Sequence, residues 1–189
     1  MPVSEGCLKN LIFLSMKRIE KPLEGEYPAY AAMYIDLLPN DGLILQHMEE
    51  HFKMMKYLAL SLPEETLVRR YAPDKWTIKE IMVHLIDDER IYAYRALRFA
   101  RNDHHELAGF EQDDYAAYSK ANERNIETIL EEYESVRKST ITLFKNLPDD
   151  AFLRTGVANK NKVSVRALIY HIAGHEWHHM NIIREKYLK

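Results

Sequence analysis

The stretch from residue 164 to residue 188 reads SVRALIYHIAGHEWHHMNIIREKYL and decides the fold. Ser164 is a residue type that commonly caps the first turn of a helix. At roughly 100° per residue, Leu168, His175 and His179 then fall on one narrow stripe. The pattern therefore predicts a long amphipathic helix that buries this stripe against other helices.

Three further stretches of the chain have the same helical periodicity. Proline interrupts the interior of a helix, and the prolines of this chain leave long segments free between them. Apolar side chains recur every three or four residues over about 41–61, 77–102, 123–146 and 164–187. Four amphipathic helices of about twenty residues, with few strand signals, predict an all-α four-helix bundle.

The second predicted helix has a defined start and is followed by a long connection. Thr77 and Glu80 have the spacing of a capping box, in which each side chain bonds a backbone N–H of the other residue. The connection from Asp103 to Asn122 is long for a link between antiparallel neighbours. It predicts a crossover between the second and third helices, and such loops often cover a functional opening.

The composition of the whole chain excludes several classes of protein. Its 189 residues contain 26 Lys and Arg against 29 Asp and Glu, a net charge of −3, which is not the basic excess of a general nucleic-acid binder. No run reaches the roughly eighteen apolar residues of a membrane span. The one cysteine, Cys7, excludes an intramolecular disulfide and a multi-cysteine zinc site. It favours a reducing, cytoplasmic location.

The first part of the chain differs from the rest, because it is rich in proline and lacks a long helical period. We expect an N-terminal extension and irregular lead-in over residues 1–40, followed by one bundle domain over residues 41–189. Residues 1–15 lack the features of a secretory signal. We expect them to be dispensable for folding, with Met16 as an alternative start to Met1.

Histidines are concentrated in the last predicted helix, where four of the nine lie within residues 171–179. His175 and His179 are four residues apart, so both imidazoles can reach one divalent ion. His84 of the second helix offers a third ligand. Asp88, one turn later, could ligate the ion, orient an imidazole or accept a proton. Three histidines leave coordination positions open and suit Zn, Ni, Fe or Cu, whereas the alternative is a set of hydrogen-bonded core histidines.

Other histidines remain alternatives on sequence alone. His47 and His51 form a second pair four residues apart, on the apolar stripe of the first helix, so they are competing ligands or core histidines. His171 lies at the edge of the stripe of the last helix, and His178 is rotated further from it. The two histidines of the long connection are expected at the surface.

Two further side chains have candidate roles. Arg95 shares the face of His84 on the second helix, so it is a candidate to bind an anionic group of a substrate or cofactor. The alternative for Arg95 is an ion pair with a nearby acid. Trp177 lies opposite the histidine stripe, and we expect it to pack on another helix or on a second subunit. A homodimer follows as a prediction.

Over about residues 41–187 the sequence resembles the DinB/YfiT-like superfamily of four-helix, metal-binding proteins. The segments that carry this resemblance are 76–80 (WTIKE), 84–90 (HLIDDER), 95–101 (RALRFAR), 109–113 (GFEQD) and 175–179 (HEWHH). The resemblance implies an up-down-down-up bundle that dimerises and binds a divalent metal through His84, His175 and His179. The sequence departs from the family pattern at Asn102, where we expect glycine.

The resemblance implies two alternative functions. In the first, the protein is an enzyme whose metal (Zn, Ni or Fe) activates a low-molecular-weight thiol, as in an S-transferase, or water, as in a hydrolase. Its substrate is then a small molecule, and Asp88 serves as a base. In the second, the protein is a non-enzymatic, stress-associated metal-binding bundle.

Overall fold

The computed structural model describes residues 17–188. The predictions that residues 1–15 are dispensable and that Met16 is an alternative start lie outside the described residues. The described part is mostly helical, with seven α-helices: α1 (Ala32–Ile35), α2 (Ile44–Ser61), α3 (Glu64–Leu67), α4 (Ile78–Ala100), α5 (Gln112–Tyr118), α6 (Ile126–Lys145) and α7 (Val165–Ile182). The four long helices, α2, α4, α6 and α7, are the four that the periodicity predicts.

The prediction of an all-α fold is wrong in one place, because a β-hairpin precedes α7. Strand β1 (Thr155–Ala158) pairs antiparallel with strand β2 (Asn161–Ser164). The two turn residues, Asn159 and Lys160, have φ of 47° and 62°, which suits a two-residue turn that matches the twist of the strands. With no glycine in this turn, the hairpin signal in the sequence is weak.

Both predicted helix caps are confirmed. At the start of α4, Glu80 N donates to Thr77 Oγ1 at 3.1 Å, and Thr77 N donates to Glu80 Oε2 at 2.8 Å. At the start of α7, Ala167 N donates to Ser164 Oγ at 3.1 Å. Ser164 therefore ends the hairpin and begins the helix that carries the histidines.

Each long helix packs against two others: α4 against α6 and α7, and α2 against α6 and α7. Helices α4 and α7 are antiparallel, since His84 meets His179 while Tyr92, later in α4, meets His171. The connection after α4 contains α5, and Leu107 forms a bridge with Ala158 of the hairpin.

The described part of the lead-in contributes to the core. Ile19 and Ile35 are buried, and Tyr170 Oη of α7 donates to Ile19 O at 2.8 Å. Helix α1 lies directly on α7, because a Cβ atom on Gly174 would be 2.3 Å from Tyr34 O. Only glycine allows this close approach, which brings the Tyr34 ring against the histidines of α7.

The apolar core has two parts, and polar residues lie between them on α4 and α7. Along α4, one part extends to Ile86 and the other begins at Tyr92. Along α7, one part extends to Ala173 and the other begins at Met180. None of the helices between residues 17 and 188 combines the length and apolar composition that a membrane crossing requires.

Candidate metal centre

The gap between the two parts of the core contains the three histidines that the sequence proposes as ligands. His84 comes from α4 and His175 from α7, and both are buried. His179, one turn after His175, is partly exposed. Because α4 and α7 are antiparallel, residues near the start of α4 lie beside residues near the end of α7.

The ring nitrogens of these three residues converge, and we call His84, His175 and His179 the histidine cluster. His175 Nε2 lies 3.2 Å from His84 Nε2 and 3.1 Å from His179 Nε2. One ligand atom from each of the three residues lies within 4.8 Å of the others. This is a donor set that one divalent ion can share.

Asp88 lies on the other side of the His175 ring. Its Oδ2 is 3.3 Å from His175 Nδ1 and 3.9 Å from His171 Nε2. A carboxylate only accepts hydrogen bonds, so this contact favours a proton on Nδ1 of His175. The Nε2 atom is then left with a lone pair, as a metal ligand requires.

Two imidazoles of the cluster, those of His84 and His179, have pKa values below the ordinary value. Burial, together with the nearby His175, lowers the pKa of His84 to about 4. The same two causes lower the pKa of His179 well below its ordinary value. Burial alone would raise the pKa of Asp88, but His175 and the neighbouring histidines lower it below the ordinary value, so Asp88 is ionised.

Aromatic side chains surround the cluster. The Trp76 ring lies 4.6 Å from that of His84 and 6.3 Å from that of His179, between ring centroids. Tyr34 makes edge contacts at 5.1 Å with His175. Beside His179, a pocket of about 310 Å³ is bounded by Trp76 and Tyr187, among others. This is the size of a small-molecule site, and one ligand residue forms part of its wall.

The structure does not bring the alternative histidines into the cluster. His47 Nε2 lies 2.8 Å from Asp41 Oδ2. His51 stacks on Trp177 with a centroid distance of 4.5 Å, so the prediction that Trp177 packs on another helix is confirmed for α2. His178 is only partly buried and makes an edge contact with Tyr34. The histidines of the long connection, His104 and His105, are exposed, as predicted.

The sequence matches the family model of the DinB superfamily over residues 47–183, which is most of the chain. The chain belongs to the DinB superfamily. A protein of Oceanobacillus iheyensis named "Putative metal-dependent hydrolase" is 25% identical over 142 residues, which cover 74% of this chain and 81% of that protein.

Two solved structures are similar to this DinB-superfamily chain. YfiT from Bacillus subtilis, described as a probable metal-dependent hydrolase with an unusual four-helix bundle topology, has a TM-score of 0.69 at 16% identity. That match covers 91% of this chain and 94% of YfiT. A mycothiol-dependent maleylpyruvate isomerase has a TM-score of 0.61 at 10% identity, covering 77% of this chain and 60% of that one. At these identities the matches establish the fold, a four-helix bundle.

A second buried polar cluster of this DinB-superfamily chain is one that sequence reasoning missed. We call Glu89, Tyr133, Arg137 and Glu176 the arginine cluster. Arg137 Nη2 of α6 lies 2.9 Å from Glu89 Oε2 of α4 and 3.0 Å from Glu176 Oε2 of α7. The signal for it was present, since Arg137 follows Tyr133 by one turn on the apolar stripe of α6.

Arg95, the candidate for an anionic group, does not touch the histidine cluster directly. It is buried beside Tyr92, and its Nη2 donates to Ala108 O at 3.2 Å. His171, which borders Asp88, also borders a cavity next to Arg95. By contrast, Arg98 of the same helix pairs with Asp103.

Proposed function

We propose that this protein is a metal-dependent enzyme in which His84, His175 and His179 bind one divalent ion. The observation that carries the proposal is the convergence of three Nε2 atoms at 3.1–3.2 Å around His175. Two similar proteins support it, since one is named "Putative metal-dependent hydrolase" and YfiT is described as a probable metal-dependent hydrolase.

The chemistry of the donor set fits a metal better than a hydrogen-bonded core. With its Nδ1 proton directed at Asp88, His175 Nε2 can only accept, and it can accept one N–H from either His84 or His179. The third Nε2 atom, on whichever of His84 and His179 does not donate, then lies close to His175 Nε2 without a hydrogen bond to it. An ion in this position would use all three lone pairs. The identity of the metal, among Zn, Ni and Fe, is not fixed by three imidazoles.

When bound, a divalent ion held by three imidazoles lowers the pKa of water or of a thiol and leaves room for one of them. Asp88 lies on the Nδ1 side of His175, away from the proposed ligand atom. We therefore propose that Asp88 mainly orients His175. Its role as a base is retained as a prediction.

The pocket beside His179 is the proposed entry for a small-molecule substrate. Trp76 and Tyr187 give it apolar walls, and Lys75 and Asp113 give it polar ones. A low-molecular-weight thiol as co-substrate is supported by the similar fold of the mycothiol-dependent isomerase, and water is the alternative reactant. The non-enzymatic alternative predicts a bound ion that no substrate or thiol approaches.

We propose two further properties from the resemblance. The up-down-down-up order is supported by α4 running antiparallel to α7 and parallel to α6, since Lys79 bonds Arg124 near the start of both helices and Glu89 pairs with Arg137 further along. A homodimer is supported by exposed apolar side chains around α1, including Met33 and Leu37, 53% and 41% exposed. A monomer in light scattering would contradict the dimer.

The experiment that tests the function begins with elemental analysis of the full chain purified without affinity metals. The protein is then loaded with cobalt, and its visible spectrum is followed as thiols and electrophilic acceptors are added. We expect about one metal ion per chain, a spectral change with at least one thiol, and turnover with an acceptor. Metal without any spectral response would favour the non-enzymatic alternative, and absence of metal would reject the site.

A further inference from the structure

Arg95 is an exception among the buried cations of residues 17–188. Lys79 lies beside Glu64, and Arg137 beside Glu89. Arg95 is only 6% exposed, yet within the described range no carboxylate oxygen lies within 4.0 Å of its nitrogens. A buried charge without a counter-charge is costly, so this arrangement calls for a physical reason.

The protein contacts of Arg95 satisfy only part of its bonding capacity. One hydrogen bond goes from Nη2 to Ala108 O, whereas a guanidinium has five N–H donors. Its central carbon lies 4.9 Å from the centroid of the Tyr92 ring and 5.9 Å from that of Phe110. These aromatic contacts favour a cation but do not neutralise it.

Arg95 lines a small cavity between the lead-in, the hairpin, α4 and α7. Tyr30, Tyr92 and His171 line it as well, and the two tyrosine hydroxyls lie 3.4 Å apart. The cavity volume is about 20 Å³, and about 10–15 Å³ is enough for one water molecule. Tyr30 is 52% exposed, so the wall of the cavity that it forms reaches the protein surface.

We propose that this Arg95 cavity binds the carboxylate group of a small organic acid. Guanidinium N–H groups match the two oxygens of a carboxylate, and the tyrosine hydroxyls add neutral donors. The volume, little more than that of one water molecule, admits at most the carboxylate end of a small acid and excludes anything as large as a nucleotide. The site is separate from the histidine cluster, so the proposal holds whether or not that cluster binds a metal.

Thermal unfolding of the full chain tests the site, with acetate as the probe at constant ionic strength and acetamide as the uncharged control. We expect acetate at ten times its Kd to raise the Tm by about 3–6 °C and acetamide to have no such effect. Arg95→Met should lose the response to acetate. Arg101→Met, an exposed arginine at the end of the same helix, should keep it. Equal responses to acetate and acetamide, or equal responses in the parent and Arg95→Met, would overturn the proposal.

A second measurement needs no variant and remains valid if Arg95→Met does not fold. Crystals of the parent protein are soaked in bromide, a small anion that anomalous diffraction locates directly. A bromide peak beside the Arg95 guanidinium and the tyrosine hydroxyls supports an anion site. Bromide bound only elsewhere on the protein would overturn it.

Discussion

The histidine cluster and the arginine cluster lie on the same two helices, yet they are completed in different ways. Asp88 and Glu89 are neighbours on α4, and His175 and Glu176 are neighbours on α7. Adjacent residues of a helix point about 100° apart. Asp88 and His175 therefore lie at the histidine cluster, whereas Glu89 and Glu176 lie in the arginine cluster.

The arginine cluster is complete in the sense that both carboxylates pair with the arginine within the protein. Glu176 Oε2 makes no hydrogen bond, but it lies 3.0 Å from Arg137 Nη2. Glu89 accepts from Arg137 Nε and Nη2, Tyr133 Oη donates to Glu176 Oε1 at 2.7 Å, and Arg137 Nη1 donates to the Met48 carbonyl. The one charged donor of this cluster, Arg137, faces two carboxylates of opposite charge. Such a cluster joins helices α4, α6 and α7, and the Met48 carbonyl links it to α2.

The histidine cluster, by contrast, is incomplete, because its Nε2 atoms face one another and not a group of opposite charge. Its three Nε2 atoms are all potential lone-pair donors to a metal, and the charge of Asp88 faces the opposite side of the His175 ring. The comparison teaches that buried polarity alone does not indicate a binding site. A site is indicated where like atoms converge without a partner of the opposite kind.

The largest effect on stability should follow from removing the arginine of the arginine cluster. Arg137→Met leaves two buried carboxylates without a cation, and it should lower the free energy of unfolding by about 3–5 kcal/mol, measured with urea. Arg90→Met is the control, because Arg90 is half-exposed and pairs with Glu132 at the surface. It should cost less than about 1 kcal/mol. Similar losses in the two variants would contradict a special role for the buried cluster.

Removing a histidine from the histidine cluster should affect metal binding more than folding stability. His179→Ala removes one proposed ligand, and metal affinity should fall at least about tenfold. The bundle should survive, because its helices draw most of their stability from apolar burial. His178→Ala is the matched control, one residue away and outside the cluster. Metal content is measured for the parent and for both variants to test whether His179 is a ligand. Equal content in all three would reject the site.

The neighbouring acids Asp88 and Glu89 provide a sharper contrast within a single turn. Asp88→Asn keeps the shape of the side chain but removes the charge beside His175, and it should weaken metal binding by about tenfold. Glu89→Gln should leave metal affinity nearly unchanged and lower the stability of the metal-free protein instead. Metal titration and urea unfolding of both variants check the pair of outcomes. If Glu89→Gln weakened metal binding as much as Asp88→Asn, the two clusters would not be independent.

The histidine cluster could be predicted from the sequence because its signal is local. A spacing of four residues places His175 and His179 on one stripe, and an antiparallel neighbour brings His84 to them. The arginine cluster depends on three helices meeting at one point, which no local period encodes. Even so, an arginine one turn after Tyr133 on an apolar stripe does indicate a buried polar contact. The hairpin was missed for a related reason, since it is stabilised by its packing, with Phe99 against Gly156.

A third polar contact lies near the surface, and we expect it to make the smallest contribution to the free energy of unfolding. Glu26 accepts hydrogen bonds from the Arg166 side chain and, at 2.8 Å, from Ser164 Oγ, and these contacts tie the lead-in to the start of α7. The bond with Arg166 is the main reason that the pKa of Glu26 is lowered to about 2. Because the folded-state pKa lies below the unfolded value of about 4.5, this contribution is fully present above about pH 4.5. It should be lost as the pH falls through about 2.

Since the pair is accessible to solvent, we expect a contribution of no more than about 1 kcal/mol. Urea unfolding of the parent and of Glu26→Gln measures it at pH 7, 4.5, 3 and 2. The difference between the two proteins should be constant from pH 7 to pH 4.5 and then shrink toward pH 2. Taking the difference removes the titration of the other carboxylates, which both proteins share. A difference that grew as the pH fell would have the wrong sign for a carboxylate stabilised by an arginine.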